Sequence, residues 1–442
     1  MQTQQSTIHP TQRVADFLRP HIFPLQTAID IDTILDRIGD AKIVMLGEAS
    51  HGSHEYYTWR STISQRLIHE KGFNFIAVEG DWPDCFKLNR YAKNYPESGT
   101  SAYDVLHSFN RWPTWMWANW ETVALAEWLY DHNKSLPVNK KAGFYGLDVY
   151  SLWESMEAII NYLKKADPAA LAVAERAFQC FQPYRRDEGT GYAYASLLVP
   201  EPCTQEVVAL LSEVRKKSPQ NNSDYENVFS TEQNAHIALN AEKYYRAMLH
   251  GGAETWNIRD SHMMETLEKL LHFHGKKSKA IVWAHNTHIG DARATDMQIS
   301  GMHNLGELAR KKFGNSNVFL MGFGSYQGSV IAASRWGEEP QHMHVPPAVT
   351  NSWEDILHHT DIQNGFLFLN DFADKKILDQ AIGHRAIGVV YQPDSERFGN
   401  YVPSVLPYRY DAFVFFEHTK ALHALHVQPD GNQMPETYPF GV

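Results

Sequence analysis

Seven short apolar runs, each giving way to polar or glycine-rich residues, constrain this chain more than any other feature. They are Lys42 to Leu46, Phe75 to Val78, Gly143 to Leu147, Ala280 to Ala284, Val318 to Met321, Ala386 to Tyr391 and Ala412 to Phe416. Most are continuous rather than alternating, which suits strands buried on both faces of a sheet. Between the first two lies a helical stretch, Glu55 to Lys71, closed by Gly72. Strand, helix and strand in so short a span make a βαβ unit with a right-handed crossover. The expected fold is α/β: a central parallel or mixed sheet flanked by helices on both faces.

Residues 150–275 follow a different pattern. Met156, Ile159, Ile160 and Leu163 recur at helical spacing, as do Val207, Leu210, Leu211 and Val214. Two longer stretches, Glu232 to Leu249 and Asp260 to Phe273, also read as helices. This is a helical insertion in one catalytic domain spanning residues 13–420. A flexible arm, residues 1–12, would precede it and a tail, residues 421–442, would follow. The Pro-rich segment Glu338 to Val349 reads as a surface loop that could serve as a lid.

Three of the apolar runs end in chemistry-bearing residues. After Leu46 come Glu48, His51, His54 and Arg60; after Val78 come Glu79, Asp81 and Asp84; after Ala284 come His285, His288, Asp291 and Arg293. Ligands of open α/β sheets bind beyond the carboxyl ends of the strands. If these three strands are parallel neighbours, their polar ends share one crevice. Singly, each cluster has a plainer reading: Glu48 and His51 could cap the next helix, and His285 could be a structural hydrogen-bonder. A fourth segment opens a helix with Arg259, Asp260 and His262. Arg259 and His262 are three apart and share a helix face, pointing either into the crevice or into solvent. The aromatic stretch Arg111 to Glu121, with Trp115 near its centre, is either core or a substrate platform.

Charge and missing motifs narrow the chemistry. With 40 Lys plus Arg against 51 Asp plus Glu, the net charge of −11 lacks the basic footprint that holds phosphate backbones or anionic membranes. Nucleic acid and membrane are therefore not expected partners. Neither an apolar leader nor a run of about 18 apolar residues occurs, so the cytoplasm is the expected location. The three cysteines, Cys85, Cys180 and Cys203, are sparse and read as inert thiols of a reducing compartment. There is no GxSxG elbow, HExxH, P-loop or GxGxxG. Direct attack by water remains: His suits the base, a carboxylate orients it, and an arginine offsets the oxyanion.

The stretches IVMLGEASHGSHEYYTWR, GFNFIAVEGDWPD, PTWMW, GFYGLDVYSL, EQNAHIALNAEKYYR, WNIRDSHMMETL and VWAHNTHIGDAR closely resemble the erythromycin esterase family. The resemblance runs from about residue 13 to about residue 420. It implies an α/β core ringed by helices, and hydrolysis of the lactone ester of macrolide antibiotics without a serine nucleophile. It also implies His51 as general base for water and Glu48 as its assistant, with Arg60, Glu79, His285 and His288 at the other active-site positions. We expect His51, Glu48, Glu79, His285 and His288 to be catalytic. Arg60, Asp81, Arg259, His262 and Trp115 are expected to bind a small-molecule ester or lactone, with no metal or cofactor. Two alternatives stand beside this: a metallohydrolase ligated by His51, Glu79, His285 and His288, and a binding protein that turns nothing over.

Overall fold

The computed structural model describes residues 10–187, 190–198, 203–216, 224–372 and 376–427. In chain order its strands are β1 Phe23–Pro24, β2 Ile43–Leu46, β3 Phe75–Val78, β4 Gly143–Gly146, β5 Ala280–Trp283 and β6 Val318–Ala332. They continue with β7 Gln341–Val345, β8 Asn364–Phe368, β9 Ile382–Arg385, β10 Tyr401–Ser404 and β11 Ala412–Thr419. One mixed sheet runs β1-β8-β11-β6-β2-β5-β3-β4, with β7 added along β6, while β9 and β10 form a separate pair. From β11 to β4 every neighbouring pair is parallel; β1, β8 and β7 pair antiparallel.

Both faces of the sheet are covered, as the continuous apolar runs require. Val44, Leu46, Ile76, Val78, Ile281 and Trp283 face one core, shared with Tyr56, Ile63 and Leu67 of helix His54–Lys71. Ile43, Met45, Phe75, Ala77, Ala280 and Val282 face the other, against Met263, Leu267 and Leu270 of helix Glu254–His274. Helix His54–Lys71 stops where expected, because Gly72 takes the left-handed conformation at φ 71°. The helices of residues 150–248 build a third core around Leu152, Met156, Ile159, Val207, Leu210 and Tyr245.

Several expectations need correction. The run Ala386 to Tyr391 is not a strand: Ile387 and Val390 make only isolated bridges to Ser50 and Ala333. The strand lies just before it, as β9. The Pro-rich segment is loop only at its two ends, because Gln341–Val345 forms β7 and pairs with the far end of β6, which extends well beyond the neighbouring strands. Residues 1–9 of the expected arm lie outside the described residues, and helix Pro10–Leu18 begins inside it. The boundary at 420 falls short, since Ala421, Leu422, Ala424 and Leu425 are buried in the first core; the tail from 428 lies outside the described residues. Cys180 and Cys203 are not free thiols but a disulfide, bridging Cα atoms 6.0 Å apart, while Cys85 is a buried thiol. That pairing removes the cysteine argument for a reducing compartment. No described helix is long and apolar enough to cross a membrane.

Candidate active site

Strands β2, β5, β3 and β4 end level with one another: Leu46 and Val78 both pair with Trp283, and Val78 pairs with Gly146. The residues just beyond these ends therefore meet. The first three of these strands are the parallel neighbours expected from the polar clusters. The fourth supplies Asp148, which directly follows the apolar run Gly143 to Leu147 and is not among the site residues expected from the sequence.

Glu48 and His51 leave β2 in a buried loop. Glu48 Oε1 lies 2.9 Å from His51 Nδ1, and Arg60 Nη2 donates to Glu48 Oε2 at 2.5 Å. Because the carboxylate accepts, the proton belongs on His51 Nδ1, and Nε2 is left with its lone pair. That Nε2 stands 4.0 Å from Glu79 Oε1, too far for a direct hydrogen bond.

Glu79 is the hub of the site. Its Oε1 accepts from Arg259 Nη2 at 2.7 Å and lies 3.4 Å from His288 Nε2; its Oε2 accepts the His285 backbone N–H at 2.8 Å. Burial alone would raise this carboxyl, but the charges of His288 and Arg259 outweigh it and hold it well below the ordinary range. Arg259 also grips Asp148 through Nε and Nη2, at 2.9 and 2.6 Å. Burial would raise Asp148 too, but Arg259 lowers it.

His288 is the cationic member. Burial pulls it down, yet Asp260, 2.9 Å from Nδ1, and Glu79 raise it to about 9. Its ring stacks on Trp256 at 4.6 Å. Arg259 Nη1 approaches His288 Nε2 to 3.0 Å. With both groups protonated this is a contact of two cations across the shared Glu79, not a hydrogen bond.

His285 has the opposite character. Burial pushes it well below its usual value, and the His51 ring lies 5.0 Å away. Its Nδ1 accepts the Thr287 backbone N–H at 3.3 Å as the cap of a short helical turn, which leaves the proton on Nε2. That nitrogen is buried without a well-formed hydrogen bond, the Ala49 carbonyl being the backbone acceptor it approaches.

These groups sort into two layers around a cavity of about 150 Å³. His51, Glu79, Asp81, Asp148 and Arg259 line it, together with Arg111, Tyr150, Trp112 and Trp336. Glu48, His285, His288 and Asp260 stand behind the wall and hold the lining groups in place. Asp81 accepts from Arg111 Nη1 at 2.7 Å, and burial, partly offset by Arg111, pushes it up to about 6.

Three expected substrate contacts lie elsewhere. Arg60 is fully buried behind Glu48, between the rings of Tyr57 and Trp283 at 4.5 and 4.7 Å, so it anchors Glu48 and does not line the cavity. His262 points away from the cavity, because three residues along a helix leave it about 60° round from Arg259 and a turn further on. It packs against helix Tyr225–Ala247, 3.0 Å from Asn240 Nδ2. Trp115 is core, while its neighbours Trp112, Pro113, Thr114, Met116 and Trp117 line the cavity, the two indoles among them supplying its aromatic surface. Asp291 and Arg293 pair with each other at a separate cleft. Arg111 and Tyr150 were missed as single residues, though both sit in stretches the sequence had marked.

The erythromycin esterase family model matches residues 68–419. Erythromycin esterase type II of Escherichia coli is 22% identical over 375 residues, covering 76% of this chain and 83% of the relative. A Bacillus subtilis (strain 168) protein named as a hydrolase, YbfO, is 21% identical over 405 residues, covering 85% and 83%. Among solved structures, a Bacillus cereus protein superposes with TM-score 0.78 at 20% identity, covering 94% of this chain and all of that one. An erythromycin esterase mutant in its open conformation superposes with TM-score 0.66 at 13% identity, covering 89% and 95%. At such identities the structures establish a shared fold. The match over most of its length places the chain in the erythromycin esterase family of hydrolases.

Proposed function

We propose that the protein hydrolyses a carboxylic ester or lactone by direct attack of water, with His51 as general base. The observation that carries this reading is the 4.0 Å gap between His51 Nε2 and Glu79 Oε1 at the cavity wall. A solvent molecule seated beside the pair, off the line that joins the two atoms, can hydrogen-bond to both. His51 Nδ1, tied to Glu48, fixes the ring so that its lone pair faces that solvent, as the carboxylate does in a Ser-His-Asp triad.

In this reaction His51 Nε2 takes a proton from the water as its oxygen bonds to the carbonyl carbon. The carbonyl oxygen becomes an oxyanion, offset by the positive charge of Arg259 and Arg111. Collapse breaks the bond to the alkoxide, which receives the proton back from His51. A cation held by His51, Glu79, His285 and His288 is disfavoured, because the Arg259 guanidinium and the charged His288 already crowd Glu79. Erythromycin, the substrate in the relatives' names, is a macrolide lactone. The cavity here is smaller than the roughly 300–1,000 Å³ of pockets for drug-sized ligands, which favours a small ester or lactone.

The test is His51→Ala assayed on a panel of small esters and lactones. With the fold intact by circular dichroism, kcat/KM should drop by about 10²–10⁴-fold, the usual worth of a positioned base. Wild-type turnover in the folded variant would refute the assignment. Tight binding with no cleavage of any panel member by the wild type would favour the binding-protein reading instead.

A further inference from the structure

His54 belongs to the same GEASHGSHE segment as His51 but takes no part in the cavity. It opens helix His54–Lys71 and turns toward the start of another helix, Trp120–Asn133. There its Nδ1 lies 2.6 Å from Glu121 Oε1, and His423 Nδ1 lies 2.7 Å from the same oxygen. The other carboxylate oxygen, Glu121 Oε2, is buried with no hydrogen-bond partner. Two imidazoles thus crowd one oxygen while its twin is left bare, an uneven arrangement for a purely structural hydrogen-bond network.

The three residues are held by backbone rather than by side-chain chance. The His54 N–H donates to the Lys420 carbonyl at 2.8 Å, Leu422 N–H to Gly52 at 2.9 Å, and Trp120 N–H to His423 at 3.0 Å. Leu425 N–H donates to Ala118 at 2.8 Å. The segment after β11 is stitched across the starts of both helices, so each ligand-type side chain springs from a fixed point. One ligand atom from each of His54, Glu121 and His423 lies within 4.8 Å of the others. Tetrahedral zinc with bonds of about 2.0–2.1 Å needs its ligand atoms roughly 3.3 Å apart, a change that small side-chain rotations supply. His54 and Glu121 are buried, while the His423 side chain is 34% exposed, which leaves a path for the ion and a place for water.

A second His/Glu group, His236, His262 and Glu265, is a useful contrast. There the Asn240 amide nitrogen sits 3.3, 3.0 and 3.0 Å from the three potential ligand atoms, so a donor already fills the centre. The Glu265 side chain is also half exposed.

We propose that His54, Glu121 and His423 bind a divalent transition-metal cation of the zinc class, which clamps the C-terminal segment onto the starts of two helices. Two imidazoles and one carboxylate form a borderline-soft set suited to such an ion, with water as fourth ligand. Binding displaces the protons now shared with Glu121, and the ion stabilises the fold instead of joining the cavity chemistry.

The experiment uses the full chain, stripped with a chelator and dialysed, then titrated with Zn²⁺ by calorimetry and with Co²⁺ by visible absorption. One ion per chain, tetrahedral cobalt bands and a higher Tm with metal are expected. His423→Ala, at the exposed ligand, should weaken Zn²⁺ at least tenfold, as should Glu121→Gln. His236→Ala should leave the affinity unchanged. If Glu121→Gln fails to fold, His423→Ala decides alone. Absence of a stoichiometric site, or Zn²⁺ affinity and cobalt bands unaffected by His423→Ala, overturns the proposal.

Discussion

At the residue scale, the site works by giving chemically similar side chains opposite environments. His285 is buried beside another histidine and stays neutral, while His288 lies between Asp260 and Glu79 and is raised to about 9. A histidine whose folded value exceeds its unfolded one adds stability that is complete below about 6.5 and disappears as pH rises through about 9. The rise corresponds to something on the order of 3 kcal/mol. Urea unfolding of the wild type and of His288→Gln at pH 6, 8 and 10 tests this. The wild-type advantage should shrink across that window, and parallel profiles would show that His288 is not the group that titrates. Residue identity was legible where a strand end announced it, as with Glu48, Glu79 and His285. It was not legible where direction matters: nothing in the spacing of Arg259 and His262 says which faces the cavity and which the neighbouring helix. Asp148 shows the reverse failure, since it follows its strand just as Glu79 does and the same rule would have found it.

At the element scale, the parallel strands were readable because burial on both faces leaves a continuous apolar run. Pairing that depends on distant partners was not. β7 exists because the overhanging end of β6 offers it free backbone groups, and its Pro-rich sequence gives no hint of that. The same overhang fixes the loop that carries His51. Ile331 N–H donates to the Gly52 carbonyl at 3.0 Å, and a Cβ on Gly52 would stand 1.9 Å from the Ile331 carbonyl oxygen. Backbone cannot yield as a side-chain tip can, so Gly52→Ala should push the loop off β6 at a cost of about 1–3 kcal/mol. Because His51 precedes Gly52, kcat/KM should drop along with the unfolding midpoint. A variant of wild-type stability and activity would show that the loop is not seated this tightly.

At the scale of the whole molecule, the question is what the cavity admits. The sheet and its strand ends build the polar floor, but the mouth is built by parts remote in sequence: the aromatic stretch around Trp112 and the β6–β7 connection carrying Trp336. The two indoles lie 4.4 Å apart, and Trp112 Nε1 donates to the Glu338 carbonyl at 3.0 Å, tying the mouth together. Trp336 is 62% exposed, so its ring is a cover and not core. With about 150 Å³ beneath it, size selection should act at this pair. Trp336→Ala should leave the stability and the hydrolysis of a small acetate ester close to wild type. It should raise kcat/KM for a bulky lactone by about 10-fold or more, the usual worth of one pocket group in discriminating substrates. Competition between the two substrates in one reaction reads that ratio directly. An unchanged ratio would mean that the mouth already opens freely, and that selection rests on the polar floor of Asp81, Arg111 and Arg259.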